Sequence, residues 1–489
     1  MKHSCIIPTL YKAIFLIVIS TFFTSCEKDF LDVNPKTIVE DKDAFSTPGK
    51  ILAQVNNLYA RLQNQNLYGG RWIVFNEQRS DEFGQNDGNA ATGSAVWNQN
   101  VATTNEYIND VWSAAYTAIN ASNILMAEME KTQVITDSLA KLYIAEAKFV
   151  RALSYLILVQ TYAKPYNLDP EALGVPLRLT AIKSTGNNDL ARSTVREVYA
   201  QIIKDLDDAE AGLPNQYATS ALNSSRAHKS SAIALKTRIY LNINNYNKLA
   251  EEARKIVPDQ APFQHQNGSL THRLESNVQL IWGGSYNGPE SIFTIPFANT
   301  NTETPAAQYS LAFTYLTQPI LFLTEEGIGA DSAFLNPQDG RSTLVSVNTA
   351  KRKVLRKFAI TTAPFRDYVP VIRYAEVMLN YAEAAAQNGQ LALAAELLKA
   401  VRNRSNPSYQ FTAEVLNEKD KLLEAIWKER RIELVGEGLR LQDLQRRVLT
   451  LPSKKGSIGT APSVAPDAKN YIWPIPSGEL STNKLCLPN

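Results

Sequence analysis

Residues 371–404 read VIRYAEVMLNYAEAAAQ, then NGQ, then LALAAELLKAVRNR: two apolar-periodic runs around Asn388-Gly389-Gln390. Apolar residues three and four apart put one face of each run against a core, so the stretch predicts helices over 371–387 and 391–404, folded back at the polar turn. The segment upstream has the same plan, with 230–242 and 246–257 flanking Asn242-Ile243-Asn244-Asn245. Aligned by spacing, Thr237, Leu249, Ala253 and Ile256 match Ala382, Ala394, Leu398 and Val401, at offsets of twelve, sixteen and nineteen. Helix pairs of this kind cannot bury their apolar faces singly, so they are expected to stack.

That spacing resembles the tetratricopeptide repeat. Residues 106–129 and 138–162 form a longer helical hairpin, in which Ala145, Ala147 and Ala152 alternate with Phe149, Leu153 and Leu156. Thr194 with Glu197 three residues on predicts a capping box, and Gly212-Leu213-Pro214 a helix stop. Residues 41–63 carry a further apolar-faced helix. Two stretches break the pattern: 264–364, rich in Asn, Gly, Thr and Pro with one strand at 291–297, and 66–100. A hundred residues poor in helix is too much for a passive connector, and loops held by a rigid scaffold commonly carry binding. The expected fold is mainly α, a helical-hairpin scaffold with an irregular, loop-rich ligand-binding half.

The N-terminal end points to export. Lys2 and Lys12, an apolar run over 13–19 and Thr24-Ser25-Cys26 make a secretion signal over 1–25. The apolar run is shorter than the ~20 residues a membrane-spanning helix needs. Cysteines stand only at 5, 26 and 486, which gives no disulfide framework after cleavage. Cys26 then reads as a thioether-lipidated N-terminus, anchored by about 0.8 kcal/mol per buried methylene. With 50 basic against 48 acidic side chains and 44% hydrophobic residues, the chain of 489 residues can bury a large core and has no bias towards nucleic acid. Length alone suggests two or three domains, yet no linker divides the chain, so 26–489 is taken as one.

These pieces together resemble the SusD/RagB family of outer-membrane nutrient-binding lipoproteins. The resemblance rests on CEKDFLDVNP at 26–35, EAKFVRALSY at 146–155 with LVQTY at 158–162 and GVPL at 174–177, and RSTVREVY at 192–199. It continues through RYAEVMLNYAEA at 373–384, ERRIEL at 429–434, EGLR at 437–440, Asp443-Leu444, and WPIP at 473–476 with Glu479 and Asn483. Such a resemblance implies a non-catalytic surface lipoprotein with no cofactor. It would bind an oligosaccharide or polysaccharide and deliver it to a TonB-dependent (SusC-like) outer-membrane transporter. Peptide capture is the alternative ligand class, and a surface glycoside hydrolase the alternative activity.

A sugar offers a face of C–H groups and an edge of hydroxyls, so its receptor needs flat aromatic rings and hydrogen-bonding side chains. Trp112 and Trp427 lie on apolar helix faces and Trp473 in the Pro-rich close, so all three are read as core. Trp72, Trp97 and Trp282 fall in polar loop context with Asn76, Arg79, Asp81, Asn98 and Tyr286, and form the candidate ligand set; Tyr309, Phe313 and Tyr315 follow. The resemblance favours Trp97, because the family's aromatic platform tends to precede the helix that Asn105 would open. Arg430, Arg431, Glu433, Glu437, Arg440 and Asp443 read as an ion-pair network of exposed pairs, worth about 0–1 kcal/mol each. Asp81, Glu82 and Asp87 lack EF-hand spacing, and no metal is expected. No zinc-protease, serine-hydrolase or phosphate-loop pattern occurs.

Overall fold

The computed structural model describes residues 41–88, 90–184, 186, 188–298 and 304–489. The signal segment and Cys26 lie outside them. The chain divides into two compact units, 1–51 and 52–489. In the first, Lys50 pairs with Asp43 of the short turn Asp41–Ala44. The helix expected over 41–63 is interrupted before Pro48, which opens α1 (Pro48–Leu62). Proline suits a first helical position because the N–H it lacks has no partner there.

In the second unit, α2 (Arg71–Arg79) precedes the long hairpin of α3 (Glu106–Met129) and α4 (Asp137–Tyr162). Asn105 and Thr136 cap these two through side-chain oxygens that accept from Tyr107 N and Leu139 N. Next come α5 (Val195–Gly212), with both halves of the Thr194–Glu197 capping box formed, then α6 (Lys229–Asn242) and α7 (Tyr246–Ala253). After the irregular stretch follow α8 (Tyr374–Gln387), α9 (Leu391–Ser405), α10 (Lys419–Glu433) and α11 (Arg440–Arg446). The helices stack in order: α3 on α4, α4 on α5, α5 on α6, α6 on both α7 and α8, and α8 on α9 and α10. All eight positions matched by spacing are buried, and Asn380 Nδ2 donates to Thr237 Oγ1 at 3.1 Å where α8 meets α6. The scaffold is the mainly α, tetratricopeptide-like stack that the spacing predicts.

The irregular stretch holds more strand than the single one expected. β1 (Phe83–Gln85), β5 (Leu321–Leu323), β6 (Val345–Val347) and β7 (Lys353–Leu355) form one antiparallel sheet in the order β1-β5-β7-β6. β2 (Gln264–Asn267) pairs with β3 (Leu270–Arg273), and β4 (Ser291–Ile295) with β8 (Val369–Arg373). β9 (Lys454–Gly456) and β10 (Gly459–Ala461) form a late hairpin. The predicted helix start at 371 is thus corrected. Val371, Ile372 and Arg373 are the end of β8, all buried, and β-branched residues after Pro370 favour the extended ladder with β4.

The charged C-terminal run is a network, but a buried one. Arg373 reaches Glu290 at 2.6 Å, Glu433 at 3.1 Å and Glu437 at 2.8 Å; Arg404 reaches Glu290 at 2.7 Å and also holds Glu433. Burial alone would raise the Glu433 pKa, but Arg404, Arg373 and Arg341 outweigh it and hold the carboxyl well below the usual range. These are therefore not the near-neutral surface pairs anticipated.

Candidate functional site

The two irregular segments meet along β1 and β5, where Gly84 lies opposite Phe322 and Gln85 opposite Leu321. Residues 86–88 and 90–92 follow β1 and are pinned by buried amides. Gln78 Nε2 donates to Gln85 Oε1 at 2.7 Å and to Thr92 O at 2.6 Å, and Gln85 Nε2 donates to Asp87 O at 2.8 Å. Gly93 closes the loop at φ 74, a left-handed conformation that favours glycine, and a Cβ there would press on the Gln78 amide, 2.7 Å from Oε1. Asn86 ties the loop to the opposite wall: its N–H donates to Ile320 O at 2.8 Å and its Nδ2 to Pro319 O at 2.7 Å.

Between this loop and residues 308–320 opens a cleft of about 600 Å³. Asn86, Asp87 and Thr92 line one side, Gln308 and Gln318 the other, and the half-buried Phe313 supplies a flat ring. Phe313 starts a wide π turn (Phe313–Thr317) within which Tyr315 is buried, its hydroxyl donating to Gly436 O at 3.4 Å. Amides and hydroxyls that both donate and accept, around one aromatic face, can bind a polyhydroxylated ring. Behind the cleft, the ammonium of Lys454 is buried among carbonyls, donating to Ser80 O at 2.7 Å and to Gln78 O, and lies 5.6 Å from the Trp97 ring. Burial pushes the Lys454 pKa down to about 7.

The sequence-predicted residues do not gather on one surface. Trp97 is 0% exposed and donates from Nε1 to Phe83 O at 3.0 Å, so it supports the cleft from within rather than facing it. Half-buried Asn98 follows it. Trp72 is buried against α4, with Nε1 donating to Thr161 Oγ1 at 3.2 Å. Trp282 is buried under Lys357 and Arg373, 4.8 and 5.6 Å from its ring, far from the role of an open platform. Asn76 and Arg79 are buried on α2, and Arg79 Nη2 donates to Tyr471 O at 2.8 Å. Asp81 is held by Arg440 through two 2.7 Å bonds. Tyr286 is half-buried beside Tyr368, and Tyr309 lies under Arg71, whose guanidinium is 4.1 Å from its ring.

Polar context misled because sequence neighbours of a tryptophan say little about where its ring packs, and a ring that large is usually enclosed. Asn86, Gln308 and Gln318 carried no signal beyond lying in the two irregular stretches; Phe313 stood among the later candidates. The Asp81, Glu82 and Asp87 carboxylates form no cation site, since Arg440 and Arg431 already hold the first two. Among the described residues, one acidic trio, Asp207, Glu210 and Glu252, is close enough to ligate an ion. The Lys236 ammonium occupies it, 2.9 Å from Asp207 and 3.0 Å from Glu252.

The structure thus combines a stacked-hairpin scaffold with a loop-built polar cleft. Residues 29–241 match a family model described as starch-binding associating with outer membrane, and 358–487 match the SusD family model. A SusD superfamily protein from Bacteroides fragilis superposes with TM-score 0.81 at 34% identity, covering 91% of this chain and 100% of that one. The chain belongs to the SusD/RagB family. SusD-like protein P2 of Formosa agariphila is 25% identical, over 98% of this chain and 99% of its own. A laminarin binding SusD-like protein shares the fold, with TM-score 0.70 and 22% identity over 91% of this chain and 98% of its own. Among the described residues no helix is long and apolar enough to cross a membrane.

Proposed function

We propose that this protein captures a glycan in the cleft between 86–92 and 308–320 and delivers it to a TonB-dependent outer-membrane transporter, held at the cell surface by a lipid on Cys26. The observation that carries the reading is the cleft itself: Phe313 as a ring for a sugar face, amides for the hydroxyl edge, and a rigid scaffold beneath. The family's description as starch-binding and the laminarin-binding relative support the ligand class. Capture rather than hydrolysis fits because Asp87 is the only carboxylate among the described lining residues, whereas glycosidases need two. Tethering beside the transporter raises effective concentration, so a weak single site suffices.

Affinity electrophoresis in starch and laminarin gels tests the reading. The native protein is expected to be retarded in at least one gel. Phe313→Ala should weaken that binding about tenfold, equivalent to about 1.4 kcal/mol. Free migration of the native protein in both, or unchanged retardation of the variant, would count against the cleft.

A further inference from the structure

A second cleft lies on the far side of a narrow ridge from the first. Ile320 lines the first and Phe322 the second, and Leu321 between them is buried. Alternation along a strand puts 320 and 322 on one face, about 7 Å apart. The ridge is the contact of Ser457 Oγ with Asn86 Oδ1 at 3.2 Å, one residue from each cleft. The second cleft has about 380 Å³ of space, and its chemistry differs.

Four cations, Lys351, Arg352, Lys353 and Lys455, line it against two carboxylates, Glu325 and Glu326. Lys353 reaches Glu325 at 3.5 Å and Lys455 reaches Glu326 at 3.3 Å. Lys351 and Arg352 have no carboxylate within ion-pair distance among the described residues. Both are positioned rather than loose. The Arg352 guanidinium lies 4.6 Å from the Phe322 ring centroid, a cation–π geometry that holds its plane over the cleft floor. Lys351 takes φ 61, a left-handed conformation that a lysine rarely adopts. The hairpin tip enforces it: Lys351 N donates to Asn348 O at 3.0 Å and Arg352 N to Asn348 Oδ1 at 3.0 Å. Strain kept at a loop tip beside a cleft points to a task for the side chain it aims.

We propose that this second cleft is an anion subsite, taking a sulfate ester or carboxylate on the same glycan whose neutral face meets Phe313. The inference rests on the reading of the first cleft: a neutral glycan engages that cleft alone, and a polymer that also carries an oxyanion engages both. Arg352 supplies a planar fork suited to either oxyanion, and Lys351 a point charge.

The test uses dextran, dextran sulfate and carboxymethyl dextran of matched chain length, at low salt because exposed charges are screened. The native protein is expected to bind at least one charged derivative about tenfold more tightly than dextran. Whichever derivative wins identifies the oxyanion. Lys351→Gln with Arg352→Gln should abolish that preference, while the charge-matched control Lys248→Gln with Lys399→Gln, at exposed lysines elsewhere, should keep it. Equal binding of charged and neutral polymers, or a preference that survives in the cleft variant or vanishes in the control, overturns the inference. The first-cleft reading falls separately, through the starch and laminarin gels.

Discussion

Trp97 has no exposed surface, so Trp97→Ala is expected to cost about 3–5 kcal/mol of stability, as for other buried tryptophans. Trp97→Phe should lose about 1 kcal/mol with the bond to Phe83 O. Thermal unfolding of the two variants measures both. Binding changes in Trp97→Ala would then report a damaged wall behind the cleft, not a lost sugar contact. A second buried group gives a pH dependence. His228 is enclosed with Nε2 3.3 Å from His272 Nε2 and Nδ1 2.7 Å from Ser231 Oγ. Burial pushes its pKa down from 6.5 to about 4, and that of His272 also down. The unfolded chain therefore takes the proton first, so the stability contributed is full above about 6.5 and is lost as pH falls towards about 4. For His228 alone the loss is on the order of 3 kcal/mol. His228→Gln should flatten the fall in Tm across that window; a slope equal to the native one would show that His228 does not set it.

The helical hairpins were legible as elements because their apolar period is local. Thr237 and Ala382, with the residues twelve, sixteen and nineteen further on, could be paired from spacing alone, and all are buried. β8 was not legible: Val371 to Arg373 continue an apolar pattern that fits helix or strand equally, and only β4, some eighty residues upstream, decides between them. The C-terminal ion pairs were legible in kind but not in depth, since burial depends on what α9 and β8 bring against α10. Depth changes the energy. Glu433→Gln leaves Arg373 and Arg404 short of a buried partner and should cost about 3–5 kcal/mol. Lys421→Gln, which breaks exposed pairs at the other end of α10, should cost under about 1 kcal/mol. Denaturant titration of the pair separates the two cases, and equal midpoints would refute the difference.

At the scale of the whole molecule, the described residues carry the cleft without a helix long and apolar enough to cross a membrane. If Cys26 carries the lipid, Cys26→Ser should move the protein from the detergent phase to the aqueous phase on Triton X-114 partition, with binding in glycan gels unchanged. Retention in the detergent phase would require another anchor. The two irregular stretches 66–100 and 264–364, readable in the sequence, supply the walls of the proposed cleft, but its lining was not readable, because the cleft is made by a pairing between segments more than two hundred residues apart. That pairing also has a temporal side. The stacked helices rest mostly on near neighbours, whereas the first cleft needs residues 83–92 and 308–323 together, and Lys454 and Ser457 from near the far end to brace them. A thread crossing the inner membrane N-terminus first would have nearly all its repeats in the periplasm before that brace emerged. Shortened just ahead of Lys454, such a thread would present an unbraced mouth and bare the face of α4 that Trp473 covers.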